Sequence, residues 1–235
     1  MTGHVTRRLL AIPGDLLAGA VAAVPGSTGR ILRRWYWGRR LGHLGARVAI
    51  DEGVRIDGPA WVSIGDDCWI DRGVILIAGP ARPGRETRHR PGSEAVEAGR
   101  LTIGERCHIG PYSVLSGLGG LSIGDEVTVS AGGRLYSLSH HYRSFERPWD
   151  RTVAFGSMVP DSRQSMVSGP IAIGSNVGFG ADCMVLPGVT VGGDSFVLPR
   201  AILRDDIAPG SLVGGDPARV IGPRFSDDPT REATA

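Results

Sequence analysis

A period of six residues constrains this chain more than anything else in it. From Ile173 a large apolar residue opens every sixth position, Ile173, Phe179, Val185, Val191, Val197 and Leu203, and a small or aliphatic residue follows four places on, at Val177, Cys183, Val189, Ser195, Ala201 and Ile207. The same phase returns at Ile64, Ile70 and Leu76, at Ile103, Ile109 and Leu115, and at Ile123, Val129 and Leu135. Helices repeat every 3.6 residues and flat strands every two, so neither accounts for a period of six. Short strands that turn corners and stack coil on coil do. The expected core is therefore one-dimensional, a prism whose coils lay their apolar positions over one another, and the 36 glycines suit a chain that turns so often.

The final repeats end in Asp206-Ile207-Ala208-Pro209 and then Gly214-Gly215-Asp216-Pro217-Ala218-Arg219-Val220-Ile221. With the hexads, this tail resembles the hexapeptide-repeat acyltransferases over about residues 48–222, and most of all the O-acetyltransferases of sugar and polysaccharide biosynthesis. The resemblance implies an all-β, left-handed parallel β-helix and acetyl-CoA as acyl donor, with no metal. It further implies a carbohydrate or glycan acceptor and a homotrimer with its sites between subunits.

Composition sets the organisation. One elongated domain over 46–222 is expected, with a helical extension at 1–45, loops thrown out at about 79–100 and 139–170, and a disordered tail at 223–235. A formal charge of +2 is too near neutral for wholesale nucleic-acid binding. All 26 basic residues are arginine, which excludes lysine chemistry and leaves phosphate contacts to Arg or backbone amides. Cys68, Cys107 and Cys183 each fall four places after a hexad opener, so they read as inward packing residues rather than disulfides or nucleophiles.

The extension lacks the repeat. Its apolar stretch is interrupted by Pro13 and Asp15 and is too short for a membrane span or a secretory signal. From Ile31 to Leu41 arginines alternate with Trp35, Tyr36 and Trp37, a mixture that suits a membrane interface or an anionic lipid-linked substrate as well as a cap on the open coil. The placement expected is cytoplasmic, peripheral at the inner face of the membrane.

Acyl transfer to a hydroxyl needs a base with a pKa near 7, and histidine is the natural one. His4 and His43 lie in the extension, His89 in the first loop, and His108 inside a hexad facing out. His140 and His141 open the second loop directly after Arg134–Ser139, where the resembling enzymes carry their catalytic histidine. His140 is the preferred base and His141 the neighbour one register away. Ser139, Glu146, Asp150 and a backbone carbonyl remain open as the orienting partner. By the same resemblance the acyl carrier lies along Gly180, Ala181 and Ala201, with Arg204 and Arg219 near its phosphate. This chain departs from the family pattern at Leu198-Pro199-Arg200, which makes a bulkier corner, and at Gly178, where a tryptophan is usual.

Three other functions compete: a nucleotide-sugar N-acetyltransferase, a carbonic anhydrase-like hydro-lyase needing three histidines on zinc, and a non-catalytic hexapeptide subunit.

Overall fold

The computed structural model describes residues 16–93 and 95–226; His4 and the tail beyond Ser226 lie outside the described residues. Three parallel sheets form the three sides of a left-handed parallel β-helix. One side stacks Val62–Ile64, Leu101–Ile103, Leu121–Ile123, Ile171–Ile173 and Thr190–Val191 above His43–Leu44. The hexad openers are the inward residues, and they align in columns. Ile64, Ile103, Ile123, Ile173 and Val191 are register partners on that side. Ile56, Leu76, Leu115, Leu135, Val185 and Leu203 form the second column, and Ile50, Ile70, Ile109, Val129, Phe179, Val197 and Val213 the third. All of these are buried, each contributing about 1.5–3 kcal/mol of burial when fully withdrawn from water.

The corners explain two residue types that the period alone does not. Coils approach so closely after an opener that a Cβ on Gly65 would lie 2.7 Å from the Gly104 carbonyl oxygen. Two residues further along, the backbone is left-handed at Arg47, Asp67, Arg106, Glu126, Asn176 and Asp194, one per coil. Neighbours in that row pair through their side chains: Arg47 with Asp67, Arg106 with Glu126 and Asn176 with Asp194. These contacts help offset the strain of left-handed non-glycine backbone.

At the N-terminal end, the Gly26–Trp37 helix lies against the first coil, and Val21, Tyr36 and Trp37 join the core. Its Arg33 is wholly buried and donates to the carbonyls of Ile50, Val21 and Val24. At the other end, Ser211–Gly215 folds back antiparallel on Ala218–Pro223.

The two phase-breaking segments are not simple loops. Leu138–His141 pairs antiparallel with Ser165–Ser168, and that strand pairs in parallel with Glu86–His89 from the other segment, giving a three-stranded sheet outside the prism. Both insertions therefore fold together. The loops expected at about 79–100 and 139–170 thus carry short strands, each of which finds its backbone partners only in a segment distant in sequence.

Candidate active site

Strand alternation sends the two candidate histidines to opposite faces of this small sheet. His140 shares its face with Leu138, Met166 and Thr87; His141 shares the other with Val167, Ser165, Glu86 and Arg88. On the first face the His140 ring meets Phe155 edge-on at 5.6 Å, its Nε2 stands 3.5 Å from Ser157 Oγ, and its Nδ1 is buried without a partner. Nothing fixes the tautomer of that ring.

His141 is held differently. Its Nδ1 is 2.7 Å from the Arg143 carbonyl oxygen, and its ring stacks on Phe145 at 4.1 Å and 21°. A carbonyl can only accept, so Nδ1 carries the proton and the lone pair is placed on Nε2, which has no hydrogen-bond partner among the described residues. A ring fixed by one carbonyl and one aromatic face, with a basic Nε2, is the arrangement a general base requires. It borders a cleft of about 300 Å³ lined by Arg88, Arg143, Ser144, Phe145 and Pro148. Arg88 lies over the Phe145 ring and Arg143 over Tyr142, so the cleft has a cationic wall without a carboxylate in its lining.

The turn that carries Phe145 is fastened by a residue the sequence did not single out. Glu86 Oε1 accepts from Phe145 N–H at 2.8 Å, Glu146 N–H at 3.0 Å and Ser144 Oγ at 3.1 Å. Burial pushes the Glu86 carboxyl upward, but the hydrogen bonds from Glu146, Ser144 and Phe145 outweigh it and hold the group below the usual carboxylate range. Among the sequence candidates for orienting the base, the backbone carbonyl is the one in place at His141. Asp150 instead accepts from Thr152 and pairs with Arg147.

The carrier candidates gather at the C-terminal coils. A groove of about 840 Å³ runs over Arg134, Asp182, Met184, Pro199, Arg200, Ile202, Gly215 and Asp216. Arg204 borders it through its pair with Asp216 at 3.3 Å, and Arg219 pairs with Asp205 at 3.6 Å. The N–H of Gly180 donates to the Val197 carbonyl and that of Ala201 to Leu198, so neither amide is open to a ligand. Ala201 is fully buried besides. The arginines and Ala181 are the carrier candidates left with exposed groups. Arg134 links the two regions, since its strand lines the groove and leads into the histidine-bearing strand.

His108 lies in the prism wall, stacked on Trp69 at 4.7 Å with Nε2 3.5 Å from Asp71, while His140 and His141 sit in the added sheet. Among the described residues no three of His, Cys, Asp and Glu converge as a ligand set would.

Residues 100–136 and 170–197 match the family described as the hexapeptide repeat of succinyl-transferase. A chloramphenicol acetyltransferase of Agrobacterium fabrum is 30% identical over 137 residues, 56% of this chain and 55% of that protein. One from Escherichia coli is 38% identical over 61 residues, 26% of this chain and 29% of that protein. The chain thus spans about half the length of the first relative and under a third of the second. Among solved structures, AntD, an N-acyltransferase from Bacillus cereus in complex with dTDP and 3-hydroxybutyryl-CoA, superposes with a TM-score of 0.65 at 20% identity, covering 86% of this chain and 91% of that one. A hexapeptide-repeat acetyltransferase from Vibrio cholerae complexed with acetyl-CoA gives 0.54 at 20% identity, covering 89% and 86%.

Proposed function

We propose that this chain is a hexapeptide-repeat acyltransferase that moves an acetyl group from acetyl-CoA to a hydroxyl of a carbohydrate acceptor, with His141 as the base. The observation that carries this reading is the His141 ring, protonated on Nδ1 by its bond to the Arg143 carbonyl and basic at Nε2 beside a cationic cleft. Nε2 takes the hydroxyl proton as the acceptor oxygen attacks the thioester carbonyl, and returns it to the departing thiol sulfur, so no charge is left on the ring after turnover. Arg200 and Arg204 at the C-terminal groove, with Arg219 paired to Asp205 in the last coils, supply guanidinium groups for the phosphates of the donor.

Arg88 and Arg143 favour an acceptor that carries negative charge, such as a sugar linked through a diphosphate. That chemistry also fits a second reading, transfer to the amine of a nucleotide sugar, supported by the likeness to AntD. A homotrimer completes the proposal. The outer face of the sheet that bears Arg134 carries the row Ile75, Val114, Arg134, Met184 and Ile202, in which half-buried apolar pairs flank the arginine, and a neighbouring copy set along it would close the groove that Arg134, Met184 and Ile202 line.

The experiment is a thiol-release assay with acetyl-CoA against chloramphenicol, a nucleotide sugar with free hydroxyls, and its amino-sugar counterpart. Acceptor-dependent thiol release that yields an ester on the nucleotide sugar supports the first reading and an amide on the amino sugar the second, while an ester on chloramphenicol alone contradicts both. Release with none of these classes, together with no acetyl-CoA binding by calorimetry, would refute both.

A further inference from the structure

One side of the Gly26–Trp37 helix has no partner among the described residues. Gly29, Arg33, Tyr36 and Trp37 face the core, and the opposite side presents Ile31, Leu32 and Trp35, which are 70%, 38% and 51% exposed. The preceding helical residues 16–23 add Leu16 and Leu17, 69% and 43% exposed. Exposed apolar side chains gathered on one helix face cost solvation free energy in water and mark a docking surface.

The charge around this surface selects what docks. Residues 16–50 hold six arginines and no Asp or Glu. Arg30 and Arg47 are neutralised by Asp51 and Asp67 from the prism, and Arg33 is buried. Arg34, Arg39 and Arg40 form no ion pair among the described residues: Arg34 donates to the Gly45 carbonyl, while Arg39 lies over the Trp35 ring at 4.5 Å and Arg40 over Tyr36 at 3.7 Å. A second copy docking by the same patch would bring like charges together. An anionic lipid surface supplies the opposite charge, and Trp35 with Arg39 stacked on it has the apolar body and cationic rim that settle at the headgroup level. No described helix is long and apolar enough to cross a membrane, so the geometry is that of a helix lying on the bilayer.

We infer that the Ile31–Leu32–Trp35 face, flanked by Arg34, Arg39 and Arg40, binds the surface of an anionic phospholipid bilayer. Docked this way, the prism stands on the membrane by its N-terminal coil.

Flotation of the full chain with phosphatidylcholine vesicles, with and without phosphatidylglycerol, tests this without any acyl donor or acceptor, so its outcome is independent of the proposed activity. Binding is expected to vesicles containing phosphatidylglycerol, and to weaken as salt is raised. The variant with Ile31→Ser, Leu32→Ser and Trp35→Ser should bind about tenfold more weakly or worse. Arg39→Glu with Arg40→Glu should remove the preference for phosphatidylglycerol even if the triple variant misfolds. Failure of the parent to float with anionic vesicles, or equal flotation of parent and both variants, overturns the inference. So does a triple variant that floats like the parent but falls apart as an oligomer in light scattering, which would assign the face to a second copy of the chain.

Discussion

Glu86→Ala should loosen the His141 segment while leaving the prism intact. Oε1 of Glu86 is the acceptor for Phe145 N–H, Glu146 N–H and Ser144 Oγ, and those two amides have no other acceptor among the described residues. Three hydrogen bonds to a carboxylate, each worth about 1 kcal/mol net and partly replaced by water on this half-exposed site, give about 2 kcal/mol of local docking free energy. That corresponds to roughly a thirtyfold rise in the open population, since about 1.4 kcal/mol is tenfold. Glu86→Gln keeps one carbonyl acceptor and should cost about half as much. The flanking strands Arg134–Tyr136 and Ile171–Ile173 are paired on both sides within the prism, so the global transition should barely move. Hydrogen exchange read by mass spectrometry over residues 139–168 is the assay, with the Phe145 and Glu146 amides as direct reporters. pH gives a second axis. The Glu86 carboxyl is held below its unfolded value of about 4.3, so its contribution is complete above that value and fades as pH falls through the lower folded value. The parent should therefore lose protection in this segment below about pH 4.3, and Glu86→Gln should not show that step. Unchanged exchange in Glu86→Ala, or an equal loss of protection in the prism strands, would refute the reasoning.

Two further outcomes follow from buried groups. Arg33→Met should lower global stability by about 3 kcal/mol in denaturant titration, because it strips the carbonyls of Ile50, Val21 and Val24 of their shared donor in a site closed to water. The three thiols should stay silent to a disulfide reagent at pH 8 until denaturant is added: all are buried, the Cys107 thiol is pushed up by its contact with Cys68 and by burial, and that of Cys183 by burial.

The prism was legible because one short period governs it. Apart from Ile50, Ile56 and Val213 at the two ends, the column partners named above are the hexad openers, and the left-handed corner falls on the third residue after Ile64, Ile103, Ile123 and Ile173. The site was legible only as a neighbourhood. Which histidine is oriented depends on strand parity in a sheet whose three strands come from two segments, and on a backbone carbonyl, which has no residue-type signal. Glu86 was hidden for a related reason, being one acid in a charged stretch with no rhythm, given its role by a turn 58 to 60 residues away. At the carrier positions taken from resemblance, the amides of Gly180 and Ala201 donate to the carbonyls of Val197 and Leu198, pairings that the period does not show.

The central claim is that His141, not His140, is the base for acyl transfer. The measurement that tests it most directly is kcat for His141→Ala and His140→Ala with the best acceptor of the parent, alongside acetyl-CoA affinity by calorimetry. The geometry predicts that His141→Ala loses about a hundredfold to ten-thousandfold in kcat with acetyl-CoA affinity nearly unchanged, and that His140→Ala loses far less. A His141→Ala enzyme that turns over like the parent, while His140→Ala does not, would contradict it.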